Sequence, residues 1–153
     1  INRGHTYADF LKGYEALRHQ VPRARLAVHL INGLPGGAEV QMLENAKQVA
    51  ALCPDEIKLH LLHVLRGTRL AALYESGAYR PMEREAYIRV VAEQLMYFPP
   101  KTVIGRLTGD GAADALLAPL WSLKKLTVLN DIDKLLAKTD SYQGKMCNLH
   151  KKF

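Results

Sequence analysis

"ARLAVHLINGLPGG", residues 24–37, decides the fold. Its first nine residues are mostly apolar and are flanked by Pro22 and Gly33. They read as a short strand buried on both faces, as in a parallel sheet. The run ends on polar Asn32 and turns on Gly33-Leu34-Pro35-Gly36-Gly37. That turn is either a corner between a strand and a helix or the rim of a site.

On the N-terminal side, Thr6 is placed to cap a helix, and Asp9 in its first turn suits the helix dipole. Phe10, Leu11, Tyr14 and Leu17 recur at helical spacing until Val21-Pro22 stops them. On the other side, residues 39–52 place Val40, Leu43, Ala46, Val49 and Ala50 on one stripe, with Glu39, Glu44, Lys47 and Gln48 opposite. "EIKLHLLHVL", residues 56–65, reads as a second strand, and Gly67-Thr68 turns into a short helix with Gly77 as its C-terminal cap. Residues 82–98 form a longer helix closed by Pro99-Pro100, and "KTVIGRL", residues 101–107, is a third strand. The last helix, residues 122–140, takes Ser122 as cap, Trp121 as a staple, and Leu123, Leu126, Leu129, Ile132, Leu135 and Leu136 as its stripe.

Helices alternating with apolar strands argue an α/β fold with three parallel strands and right-handed crossovers. The folded portion spans residues 1–144, with an unpatterned tail at 145–153. Three strands are fewer than the roughly 4–6 of a typical open sheet. Two strand edges would stay unpaired and apolar, favouring association. Together with the start on Ile1, this suggests a chain that lacks an N-terminal half.

At 153 residues and 48% apolar content, the chain has enough material for a core. The net charge of +6 permits contact with nucleic acid, but the basic residues are scattered apart from Lys124-Lys125 and Lys151-Lys152. Cys53 and Cys147 have no metal-ligand spacing, which points to a reducing, cytoplasmic setting and a buried, inert Cys53. No apolar run reaches the roughly 18 residues of a membrane span.

In parallel α/β architecture ligands bind beyond the carboxyl ends of strands. Three such ends are "HLINGLPGG", "HLLHVLRGT" and "RLTGDGAAD", each polar and then glycine-bearing. Asn32 and Gly33 stand at the first mouth, and His63 at the second. His29 shares its strand face with Ala27 and Ile31, while His60 and His63, three apart, fall on opposite faces of a strand. Gly109-Asp110-Gly111 is first of all a turn. No P-loop lysine, nucleophile elbow or paired metal histidines are present, so no catalytic residue is assigned and no metal ligand is expected.

"INRGHTYADFLKGYEALR", "HLINGLPGG", "IKLHLLHVLRGTRLA" and "RLTGDGAADALLAPLWSLKKLTVLNDIDKLLAKTDSYQGK" together resemble the YhcC/YtqA-like branch of the radical-SAM superfamily. That branch is related to oxygen-independent coproporphyrinogen oxidase and the Elongator catalytic subunit. The resemblance covers residues 1 to about 145 and implies the C-terminal part of a partial (β/α)6 TIM-like barrel. It also implies S-adenosylmethionine and a 4Fe-4S cluster, whose one-electron chemistry yields a 5′-deoxyadenosyl radical. The Cys-x-x-x-Cys-x-x-Cys motif that holds such a cluster is absent, so the chain alone is expected to be inactive.

By the same resemblance, Arg3 corresponds to an arginine directed at the S-adenosylmethionine carboxylate. His29 takes the place of an Asp that contacts the ribose hydroxyls, and backbone atoms around Leu62-His63 meet the adenine. Gly37 stands where Glu often follows "GLPG", and Gly105 where His often precedes "RLTGD". The residues do not name the substrate; the resemblance allows a tRNA or a protein. The alternatives are a non-catalytic RNA- or protein-binding module derived from the barrel, and a phosphate-binding domain using N–H groups after Gly33 and Gly36.

Overall fold

The computed structural model describes residues 4–109, 111 and 113–147. Helix α1 (Tyr7–Gln20) begins with a complete capping box, in which Thr6 and Asp9 satisfy each other's backbone N–H. It is tied to the sheet at one end. Tyr14 donates from its hydroxyl to the Leu52 carbonyl at 3.2 Å, and Arg18 pairs with Asp55 at 2.7 Å. The Asp55 carboxylate also accepts from Leu26 N–H, which holds its pKa below the usual carboxylate range.

Strands β1 (Ala27–Asn32), β2 (Glu56–Leu61) and β4 (Val103–Arg106) form one parallel sheet in the order β1-β2-β4. Helices α2 (Glu39–Ala51), α4 (Arg84–Tyr97) and α5 (Lys125–Lys138) supply the core against it. Val28, Ile57, Leu59 and Leu61 meet Ala46 and Val49 of α2, Tyr87, Val91 and Leu95 of α4, and Val128 and Ile132 of α5. Tyr87, though fully enclosed, donates to the Leu107 carbonyl at 2.9 Å, so its hydroxyl is satisfied.

Several expectations are corrected here. The first strand is not buried on both faces: Val28 and Asn32 are buried, whereas Ala27, His29 and Ile31 are exposed. β1 lies at an edge of its sheet, and the helical core is built against one face only. The apolar run at 56–65 is not one strand. It breaks after Leu61, and β3 (Val64–Leu65) pairs antiparallel with β5 (Leu116–Ala118) in a second sheet. β5 lies in what the sequence presented as loop. No glycine or proline marks the break at Leu62-His63, so hydropathy runs straight through it.

Helix α3 (Arg69–Glu75), capped by Thr68, leads from β3 toward Tyr79, which packs with Val64, Ala71 and Ala118 in a small second cluster. Ser122 does not cap α5. It lies in a 3₁₀ turn (Leu120–Leu123) and bonds the Pro119 carbonyl, so α5 starts three residues later. With that shift Leu123 and Leu126 are exposed and Val128 is buried in their stead. Val40 likewise faces out and Met42 in. Cys53 is half-buried in a left-handed conformation, φ 49°, just past the end of α2.

Candidate functional site

The segment that follows β1 is a tight type II turn. Gly37 N–H donates to the Leu34 carbonyl at 2.9 Å, with Pro35 and left-handed Gly36 at the two central positions. Gly33, at φ 87°, is required for a second reason. A Cβ there would lie 3.2 Å from Met82 Cγ, and the Gly33 carbonyl accepts from the Tyr79 hydroxyl at 2.7 Å. A cleft of about 200 Å3 opens beside this turn, lined by Gly33, Pro35, Gly37, Met42, Tyr79 and Arg80.

The three strand ends converge. Leu62 N–H donates to the Asn32 carbonyl at 2.9 Å, joining the ends of β1 and β2. The loop after β4 closes on His63: a Cβ on Gly109 would fall 2.8 Å from His63 Cε1, and one on Gly111 2.9 Å from Nδ1. Only side-chain-free positions let that loop lie against the ring. Arg3 and Asp110 lie outside the described residues.

Sequence-predicted residues separate at this point. Asn32 stands at the mouth, but its carboxamide turns inward and forms a two-way pair with Gln94, at 2.8 and 2.9 Å. Both are essentially inaccessible, and Gln94 also donates to the Met42 carbonyl. Asn32 therefore ties the rim of the mouth to α4. His63 is not on a strand opposite His60, because β2 ends at Leu61. It is a loop residue enclosed by Gly109 and Gly111.

His29 and His60 lie on the sheet face away from the helical core, their rings stacked at 5.0 Å with planes 17° apart. That face also carries Glu56, Lys58 and, opposite Lys58 across a bulge, Arg106. Lys58 pairs with Glu56 at 3.4 Å. The bulge skips Gly105, and the Glu56 carboxylate lies over the space that a side chain there would fill. The sequence carried a signal for this row that apolarity alone obscured: in "EIKLHL" the polar residues alternate strictly with apolar ones. Tyr79, in "SGAYRP", and Gln94, beside Glu93, carried no such signal.

Among the described residues, the buried Nε2 atoms of His60 and His63 have no hydrogen-bond partner. Burial pushes the His60 pKa down, reinforced by His29, Arg106, Lys58 and His63, and burial with Lys125 nearby pushes His63 down. Both imidazoles are therefore held toward the neutral form. A folded pKa below the unfolded value of about 6.5 gives stability that is complete above that pH and lost as pH falls through the folded pKa. Lowering the pH from about 7.5 to about 5 should thus lower the denaturation midpoint. His63→Gln should flatten that slope; an unchanged slope in His60→Gln and His63→Gln together would show that neither ring is the source.

An α/β chain with glycine-bearing loops at the carboxyl ends of parallel strands is a frame that many ligand-binding proteins share, so its class is decided by its relatives. The Radical_SAM C-terminal domain matches residues 54–138, and the chain belongs to this family. It is 40% identical over 146 residues to the uncharacterized protein YtqA of Bacillus subtilis, covering 95% of this chain and 44% of that protein. It is 32% identical over 136 residues to protein YhcC of Escherichia coli, covering 89% and 43%. A tRNA uridine(34) acetyltransferase of Methanocaldococcus jannaschii is 25% identical over 118 residues, covering 75% of this chain and 21% of that protein. The same fold is found in the Methanocaldococcus infernus Elp3 structure, with TM-score 0.71 at 20% identity, over 93% of this chain and 33% of that one. The chain thus spans less than half the length of these relatives. Among the described residues no helix is long and apolar enough to cross a membrane.

Proposed function

We propose that this chain forms the S-adenosylmethionine-facing wall, the C-terminal part of a partial (β/α)6 barrel, in a radical-SAM enzyme of the cytoplasm. The supporting observation is the convergence of three parallel strand ends around Gly33, His63 and the Gly109–Gly111 loop. The residues present suit that cofactor. Side-chain-free positions at Gly33, Gly109 and Gly111 allow close backbone approach, and the buried His60 and His63 Nε2 atoms have no partner among the described residues. His29 would meet the ribose hydroxyls, because an imidazole both donates and accepts. Gly33 and the backbone at His63 would bound the purine end, and Asn32 would hold the rim in register through Gln94. Arg3 remains proposed for the carboxylate.

Bound there, S-adenosylmethionine would supply a 5′-deoxyadenosyl radical on one-electron reduction by a 4Fe-4S cluster. The residues of this chain do not suit the cluster itself. Two cysteines cannot provide three thiolates, and among the described residues no group of three or more His, Cys, Asp or Glu side chains could hold a metal. The substrate class we propose is tRNA, supported by the net charge of +6 and by the name of the acetyltransferase relative. A protein substrate is the alternative.

Calorimetric titration of the full-length protein with S-adenosylmethionine tests this. His29→Ala should weaken binding about tenfold, the loss of one or two hydrogen bonds, with the circular dichroism unchanged because the ring is exposed. Undetectable binding by the wild type, or equal binding by the variant, would remove the basis for the proposal.

A further inference from the structure

Tyr79 follows α3 and belongs to the small second cluster, where its ring packs with Val64, Ala71 and Ala118. Its hydroxyl nevertheless reaches the first mouth and donates to the Gly33 carbonyl at 2.7 Å. The phenol arrives there already fixed. Tyr79 N–H donates to the Leu73 carbonyl at 3.0 Å, which anchors its backbone to the end of α3. Three residues on, the Met82 carbonyl accepts from the Trp121 indole at 3.2 Å. From that fixed segment Met82 and Tyr79 enclose Gly33, where a Cβ would lie 3.2 Å from Met82 Cγ and 3.8 Å from the Tyr79 hydroxyl. Burial raises the Tyr79 pKa above its ordinary value, so the hydroxyl keeps its proton and donates. Pinning the carbonyl also aims the other half of its peptide. The Gly33–Leu34 bond is trans, so the Leu34 N–H points opposite to the Gly33 carbonyl and away from Tyr79. Leu34 is half-buried, and among the described residues its N–H meets no acceptor. Its carbonyl, by contrast, is taken by the Gly37 N–H that closes the turn.

We infer that Tyr79 is a positioning residue of the first mouth, which by holding the Gly33 carbonyl aims the Leu34 N–H at a hydrogen-bond acceptor of the bound ligand. The identity of that ligand rests on the radical-SAM reading; the strut itself rests on Tyr79, Gly33 and Leu34 alone. Gly33 must be glycine to reach φ 87°, yet glycine also leaves the peptide after it free to rotate. The Tyr79 bond removes that freedom. A donor oriented in advance loses less entropy when its acceptor arrives, so the strut contributes to affinity without touching the ligand. It also gives the β3–β5 sheet a part in binding. Val64 of β3 and Ala118 of β5 seat the ring whose hydroxyl sets the turn after β1.

Amide-detected NMR of the full-length protein tests this with Tyr79→Phe, which keeps the ring in its cluster and removes only the hydroxyl. In the free protein, hydrogen exchange at the Gly37 amide should quicken about tenfold in the variant, the worth of one neutral hydrogen bond. The amide of Leu59, in the middle of the parallel sheet, should keep its rate. On titration with S-adenosylmethionine the wild-type Leu34 amide proton should move downfield. Tyr79→Phe should bind about tenfold more weakly, with that shift lost. Tyr74→Phe removes an exposed hydroxyl from α3 and should leave every reading unchanged. A merely structural Tyr79 would lower the melting temperature without altering the Leu34 signal. The inference is overturned by an unchanged Gly37 exchange rate or by equal affinities in Tyr79→Phe. Wild-type binding with an unmoved Leu34 amide also overturns it, and leaves the radical-SAM reading standing. That last measurement needs no variant, so it decides the matter even if Tyr79→Phe does not fold. Should the wild type bind no S-adenosylmethionine, the radical-SAM reading fails instead. Quickened Gly37 exchange then still supports Tyr79 as the strut of the turn, and unchanged exchange removes it.

Discussion

Asn32→Leu should lower the unfolding free energy by about 2–3 kcal/mol, although leucine matches asparagine closely in size and is far more apolar. The loss arises on the other side of the contact. Asn32 and Gln94 exchange two hydrogen bonds where neither is accessible to water. With leucine in place, Gln94 keeps its bond to the Met42 carbonyl, but its Oε1 is left enclosed without a donor. The diagnostic measurement is a double-mutant cycle by urea denaturation. Gln94→Met alone should also destabilise, and Asn32→Leu/Gln94→Met should recover much of the loss, because both polar groups are then gone. Additive losses would mean that the pair is not coupled and that Asn32 is held some other way.

Gly33→Val is expected to be comparably harmful, and for two separable reasons. A branched side chain at φ 87° costs on the order of 1–3 kcal/mol in backbone strain alone. Its Cβ would also press on Met82 Cγ at 3.2 Å and disturb the seat of the Tyr79 hydroxyl. Gly36→Ala supplies the comparison. Gly36 is left-handed too, at φ 74°, but a Cβ there meets nothing within 4 Å. It should cost about 1 kcal/mol, the strain without the crowding. Under the proposed function Gly33→Val should also abolish measurable S-adenosylmethionine binding, whereas Gly36→Ala should retain it. Thermal unfolding and calorimetry on both variants read the two effects independently, and equal losses at the two positions would contradict the assigned role of Gly33.

These two residues show what a linear reading catches. "GLPGG" announced a turn, because proline followed by glycine fits the two central positions of a type II turn and little else. The alternation of helices and strands announced the parallel sheet, since both elements carry their period in the chain. His29 was correctly separated from Val28 and Leu30 by the same logic. Asn32 marked the end of the strand, but nothing in its neighbours could reveal that its carboxamide faces Gln94, sixty-two residues away. The break between β2 and β3 was equally hidden, because an apolar residue in a second sheet looks like one in the first.

The sequence by itself determined the α/β class, the parallel direction of three strands, the glycine-bearing loops after them and the family to which the chain belongs. Those properties follow from local conformational preference, hydrophobic period and motif, each of which is written over a few consecutive residues. The tertiary structure alone decided which face of the sheet is covered, which imidazoles stack, and which cations share a wall. It also paired β3 with β5 and turned Asn32 inward. Such features depend on where helices distant in the chain come to rest, and a side chain's partner is fixed by what packing leaves beside it.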